Sequence, residues 1–164
     1  MVDEGGGEEV VFEEGENDRR ASFPSPSRAQ HPLSLVFTKM VDHVILTVSN
    51  FGRSVAFYTE ALKPLGISFF MDFKGKADHP DLKGFGDGKR GFFWLKEGKP
   101  YPEAVLVGFV AKSNAEVDEF YKAALAAGGT SKAPPQPRLE YYPGYYATWV
   151  LDPDGHDIEV VHKS

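Results

Sequence analysis

Phe57-Tyr58-Thr59-Glu60-Ala61-Leu62-Lys63-Pro64-Leu65-Gly66 is answered 63 residues later by Phe120-Tyr121-Lys122-Ala123-Ala124-Leu125-Ala126-Ala127-Gly128-Gly129. Five of the ten positions are identical: Phe57 with Phe120, Tyr58 with Tyr121, Ala61 with Ala124, Leu62 with Leu125 and Gly66 with Gly129. The same offset runs without a gap through the strand before each segment, so the chain reads as an internal duplication. Two such units fill almost all of the chain after residue 36, and 164 residues leave room for one compact domain of two half-size modules.

Each half carries the signals of a βαβββ unit. In Val41–Val48 alternation puts Val44, Leu46 and Val48 on one face, under a helix, and His43, Ile45 and Thr47 on the other. The first helix is expected to start near Asn50–Arg53 and to stop before Pro64, whose ring pushes the preceding residue out of the α region. In the second half Ser113-Asn114-Ala115-Glu116 reads as a capping box, and Val117, Phe120, Tyr121, Ala124 and Leu125 form a helical stripe that ends at Gly128-Gly129. Strands are expected near Ser68–Asp72, Gly84–Phe85, Gly91–Leu95, Arg138–Tyr142, Tyr145–Leu151 and Asp157–His162, with Asp152-Pro153-Asp154-Gly155 turning between the last two. The fold class is α+β: two tandem βαβββ modules, at 40–97 and 103–162, divided by Gly98-Lys99-Pro100-Tyr101-Pro102. Helices on one face of each curved mixed sheet leave the other face free to enclose a cavity, where function is expected.

Composition narrows the function classes. Residues 1–36 hold a net charge of −5 out of the chain's −6, and their Gly, Ser, Pro and acidic runs predict a disordered tail, with Ser22, Ser25 and Ser27 near Pro24 and Pro26 as candidate phosphate acceptors. Residues 37–164 are nearly neutral and lack a basic stripe, which argues against nucleic acid as a partner. The absence of cysteine removes thiol catalysis and disulfides. No apolar run approaches membrane-spanning length and no signal-peptide pattern opens the chain, so a cytoplasmic location and no membrane partner are expected.

His43 on the first strand and Glu159 on the last lie on the faces turned away from the helices. Together they suit a divalent metal or an oriented acid–base pair; a buried ion pair is the plain alternative. Asp42-His43-Val44-Ile45-Leu46-Thr47-Val48, Ser54-Val55-Ala56-Phe57-Tyr58 and Leu151-Asp152-Pro153-Asp154-Gly155-His156-Asp157-Ile158-Glu159 resemble the vicinal oxygen chelate superfamily, which includes glyoxalase I, bleomycin-resistance proteins, fosfomycin-resistance enzymes and extradiol dioxygenases. The resemblance covers about residues 40–162 and implies the fold, but no single activity. It also implies that His43 and Glu159 are metal ligands, joined by a residue on the first strand of the second half. The 63-residue offset places Leu106 there, and Gly91-Phe92-Phe93-Trp94-Leu95 supplies no fourth ligand. Glu140 is the candidate replacement, giving one His and two carboxylates and favouring Mn or Mg; His156 and His162 are weaker candidates, and His31 and His79 read as surface positions.

The aromatic run adds a pocket lining. Phe93, Trp94, Tyr142, Tyr145 and Trp149, with Leu106 and Arg138, are the candidate substrate-pocket residues, and Arg138 would meet an anionic group or Glu140. Gly84–Gly91 lacks the phosphate-loop pattern and reads as a hairpin turn. Two functions follow from the resemblance. One is a glyoxalase-like lyase or isomerase with Mn, Fe, Ni or Zn held by His43, Glu159 and Glu140, His43 and Glu159 being catalytic. The other is a metal-free protein of the bleomycin-resistance type that sequesters a small apolar or aromatic compound. A dioxygenase is disfavoured because the second His of a two-His, one-carboxylate triad is missing. The family also implies a homodimer.

Overall fold

The computed structural model describes residues 41–164, so the expectations for the acidic tail and His31 lie outside the described residues. Two four-stranded mixed sheets form. The first orders its strands β1-β4-β3-β2, with β1 Val44–Val48, β2 Ser68–Phe73, β3 Leu82–Gly86 and β4 Gly91–Glu97; the second orders β5-β8-β7-β6, with β5 Leu106–Val110, β6 Thr130–Pro137, β7 Tyr145–Leu151 and β8 Asp157–Lys163. In each sheet the first strand pairs parallel with the last, and the other pairs are antiparallel. The α+β class and the two-module plan are as the repeat predicts.

Helix α1, Phe51–Ala61, begins where Asn50 accepts a hydrogen bond from the Arg53 backbone N–H at 2.9 Å. Its chain then passes through the 3-10 turn Lys63–Leu65, where Pro64 is tolerated, and reverses at Gly66, whose φ of 70° suits a residue without Cβ. Helix α2, Asn114–Ala126, is capped by the Ser113 side chain, and Glu116 reaches back to the Lys112 N–H at 2.7 Å, one residue earlier than a capping box would have it. Phe57, Tyr58 and Ala61 from α1 and Val117, Phe120 and Ala124 from α2 are buried in one shared core with the helix-facing residues of both sheets. Alternation on β1 holds at Leu46 and Val48, which are buried, and at Ile45, which is exposed on the opposite face; Val44, expected under the helix, is exposed at the strand's start.

One strand lies elsewhere than expected. Arg138–Tyr142 is not a strand; Tyr141 N–H bonds to the Arg138 carbonyl in a turn, and β6 instead runs over Thr130–Pro137. Pro134, Pro135 and Pro137 obscure that strand in the sequence because proline cannot donate to a ladder, but β6 is a sheet edge, and the pairing with β7 shifts register twice along it.

The turn between β7 and β8 fastens one module to the other. Asp152 accepts from the Tyr58 hydroxyl of α1 at 2.7 Å, from His156 Nδ1 at 2.9 Å and from the His156 backbone N–H, all buried, and from the part-buried backbone N–H of Asp154. Asp154 accepts from the Ser49 backbone and hydroxyl at 2.9 and 2.6 Å and pairs with Arg53. Burial alone would push the Asp154 carboxyl up, but the Ser49 hydrogen bonds and the Arg53 guanidinium outweigh it and hold it below the usual range. A lowered folded-state value gives stability that is present above the unfolded value and is lost as pH falls through the folded one. Wild type should therefore melt higher than Asp154→Asn by a constant margin from neutrality down to about pH 4, and the margin should shrink below that. Paired thermal melts from pH 7 to pH 2 check this, and a margin that does not change with pH would contradict it.

Candidate functional site

The faces turned away from the helices hold most of the polar candidates. His43 directly precedes β1, and its Nδ1 lies 3.1 Å from Asp42, which in turn accepts from Arg90 at 2.9 Å. The hydrogen bond with His43 and the charge of Arg90 hold the Asp42 carboxyl below its usual range. His43, half exposed, lines a hollow with Ile45, Leu82, Gly91 and Trp94. A second hollow, of about 280 Å³, separates the start of β1 from β5 and has His43 and Arg90 on one side and Val107 and Gly108 on the other.

Glu159 lies beside Gly108 and Trp149 in the β5–β8–β7 register. It accepts from the Tyr145 hydroxyl at 2.6 Å. Burial first, and then this bond and the Glu159 charge, push the Tyr145 phenol far above its ordinary value, so the phenol stays a donor at neutral pH.

The register assigns counterparts that the sequence offset left open. Ile45 pairs with Trp94 and Gly108 pairs with Glu159; because Ile45 and Gly108 are 63 residues apart, Trp94 stands in the first module where Glu159 stands in the second. Trp94 spreads over Gly84 and Gly91, where an added Cβ would come within 2.6 and 2.7 Å of its ring atoms, so those glycines make its seat. Leu106, the counterpart of His43, is 55% exposed on the open face. Glu140 is 59% exposed in the loop after β6 and faces Arg138 Nη1 at 3.5 Å.

These residues do not fit a catalytic divalent metal. His43 and Glu159 are the donors, and the two symmetry-related positions hold Leu106 and Trp94, which offer none. No group of three or more His, Asp or Glu side chains gathers for a metal among the described residues, fewer than the three protein ligands usual at a catalytic site. His156 is committed to Asp152 and His162 to Asn114, while His79 lies in the loop between β2 and β3.

The aromatic candidates divide between two faces. Phe93 is buried in the core, where it packs edge-on against Tyr58 and Phe109, and it also borders the hollow between the start of β1 and β5. On the open face of the second sheet, Leu106, Ala133, Arg138, Tyr141 and Trp149 line a hollow of about 370 Å³. Tyr142 packs edge-on against Tyr145 beside it. Two further lining residues, Lys132 and Asp157, went unread in the sequence. Asp157 had a signal, since it sits two residues before Glu159 on the same strand face; Lys132 had none, because its strand was hidden among prolines.

Comparison with known proteins agrees with this architecture. Residues 40–160 match the model of the Glyoxalase/Bleomycin resistance protein/Dioxygenase superfamily. The chain is similar to a glyoxalase/bleomycin resistance protein of Albidiferax ferrireducens T118, with 27% identity, a TM-score of 0.61, and coverage of 76% of this chain and 99% of that one. A glyoxylase/bleomycin resistance protein/dioxygenase domain from Frankia sp. EAN1pec shares the fold at 22% identity and a TM-score of 0.59, covering 76% of this chain and 91% of that one. So does a family enzyme from Burkholderia phytofirmans PsJN, at 16% identity and a TM-score of 0.57, covering 75% and 98%. No curated protein matches the chain. Among the described residues no helix is long and apolar enough to cross a membrane. With a duplicated βαβββ plan, a DPDG latch and a family match across residues 40–160, the chain belongs to the Glyoxalase/Bleomycin resistance protein/Dioxygenase superfamily.

Proposed function

We propose that this protein binds a small apolar or aromatic compound on its open sheet faces without a catalytic metal, in the manner of the bleomycin-resistance branch of the superfamily. The observation that carries this reading is the replacement of donors by Leu106 and Trp94 at the positions related by the internal repeat to His43 and Glu159. Apolar side chains there cannot hold a cation, but they supply contact area for an uncharged ring or chain. One observation favours the metal-dependent lyase or isomerase reading: Asp42 engages His43 Nδ1, as a carboxylate does behind a ligating imidazole, and leaves Nε2 as the ligating nitrogen.

Metal retention decides between them. Protein equilibrated separately with Mn, Fe, Ni and Zn and then desalted should keep well under one equivalent, and His43→Ala and Glu159→Ala should leave that residue unchanged. Near-stoichiometric metal in wild type, lost in both variants, would overturn the metal-free reading. Light scattering on the same preparation measures the homodimer that family membership implies.

A further inference from the structure

We propose that the hollow on the open face of the second sheet binds a small planar carboxylic acid that also carries a hydroxyl or amino group. This deepens the small-molecule-binding reading above and rests on it. Two residues that line this hollow each carry a buried polar atom with no hydrogen-bond partner among the described residues: Arg138 Nε, a donor, and Asp157 Oδ1, an acceptor. Both are buried, with side chains only 21% and 13% exposed. A buried polar atom left unpaired bears the cost of its desolvation, so a ligand group of matching polarity that reached it would recover that cost.

The rest of the lining specifies the ligand further. The Arg138 guanidinium is held 4.7 Å over the Trp149 ring, and its backbone N–H is fixed to the Tyr145 carbonyl at 2.8 Å, so the fork is presented by ordered structure. Glu140 meets only Nη1, from an exposed position, which leaves the Nε and Nη2 edge for two parallel hydrogen bonds to a carboxylate. Lys132 already neutralises Asp157 through Oδ2, so Oδ1 is left to accept a hydroxyl or amino proton. Leu106, Ala133 and Trp149 give apolar walls, and about 370 Å³ lies at the small end of ligand cavities, which suits one ring with two substituents.

Calorimetric titration of the full chain tests this with four probes: 4-hydroxybenzoate, 4-aminobenzoate, and the single-group controls benzoate and p-cresol. The two bifunctional acids should bind about tenfold or more tightly than either control, as a second satisfied polar group would give. Arg138→Gln should bring 4-hydroxybenzoate down to the affinity of p-cresol while leaving p-cresol unchanged. Asp157→Ala, confirmed folded by its melt, removes the acceptor and should bring it down to that of benzoate. If p-cresol binds and the carboxylate adds nothing, or if Arg138→Gln leaves the acids unaffected, the proposal is overturned and the broader binding reading stands. If none of the four probes binds, both are overturned.

Discussion

Replacing Asp152 with Ala should destabilise the protein by about 3–5 kcal/mol, read as a fall of roughly 10–20 °C in melting temperature. The carboxylate is the common acceptor for Tyr58, His156 and two backbone N–H groups, and Tyr58 and His156 are themselves buried. Alanine would strand four donors at once, each facing desolvation without a partner. Burial, followed by the Asp152 charge and hydrogen bond, raises the Tyr58 phenol well above its ordinary value, so this donor cannot lose its proton to escape the penalty. Tyr58→Phe provides the scale: it removes one satisfied hydroxyl and should cost less than half as much. Urea unfolding of both variants separates the cases, and a loss below about 1 kcal/mol for Asp152→Ala would show that the turn is not a latch between modules.

Phe93→Ala should cost about 3–5 kcal/mol, by lost transfer free energy and the cavity left behind. Its ring stands 4.9 Å from Tyr58 of α1 and 5.3 Å from Phe109 of β5, both edge-on, so it fills the junction where the two modules share a core. The sequence placed this residue in the substrate pocket, and the structure gives a way to tell the roles apart. A core role predicts a large fall in urea midpoint with ligand affinity retained by the folded fraction. A pocket role predicts the reverse, and that pattern would contradict the placement of Phe93 beneath the helices.

Much of the architecture was legible because duplication writes the same physics twice. The repeat, the capping box at Ser113 and the break at Pro64 located both helices, with the first start placed near Asn50–Arg53, since local hydrogen bonding and a 3.6-residue stripe are properties of adjacent residues. Alternation gave the faces of β1, because a pleat needs no knowledge of its neighbours. The Thr130–Pro137 strand was missed for a reason sequence cannot supply: whether proline is tolerated depends on lying at a sheet edge, and edges exist only after strands have been ordered.

The site followed the same division. His43 and Glu159 were legible because strand placement turns them away from the helices and the resemblance marks the same pair, and Leu106 because a constant offset is arithmetic on the chain. That Trp94 is the counterpart of Glu159 needed the register of β1 on β4 and of β5 on β8, which is set by pairing across tens of residues. The sequence by itself determined the two-module fold and that Leu106 stands at the position repeat-related to His43, because propensity, capping, periodicity and a constant offset are read along the chain. Only the tertiary structure decided that Phe93 belongs to the core, that Glu140 stays on an exposed loop, and that Arg138 and Asp157 meet around one hollow with a donor and an acceptor unspent, because burial and hydrogen-bond satisfaction depend on what distant strands bring alongside.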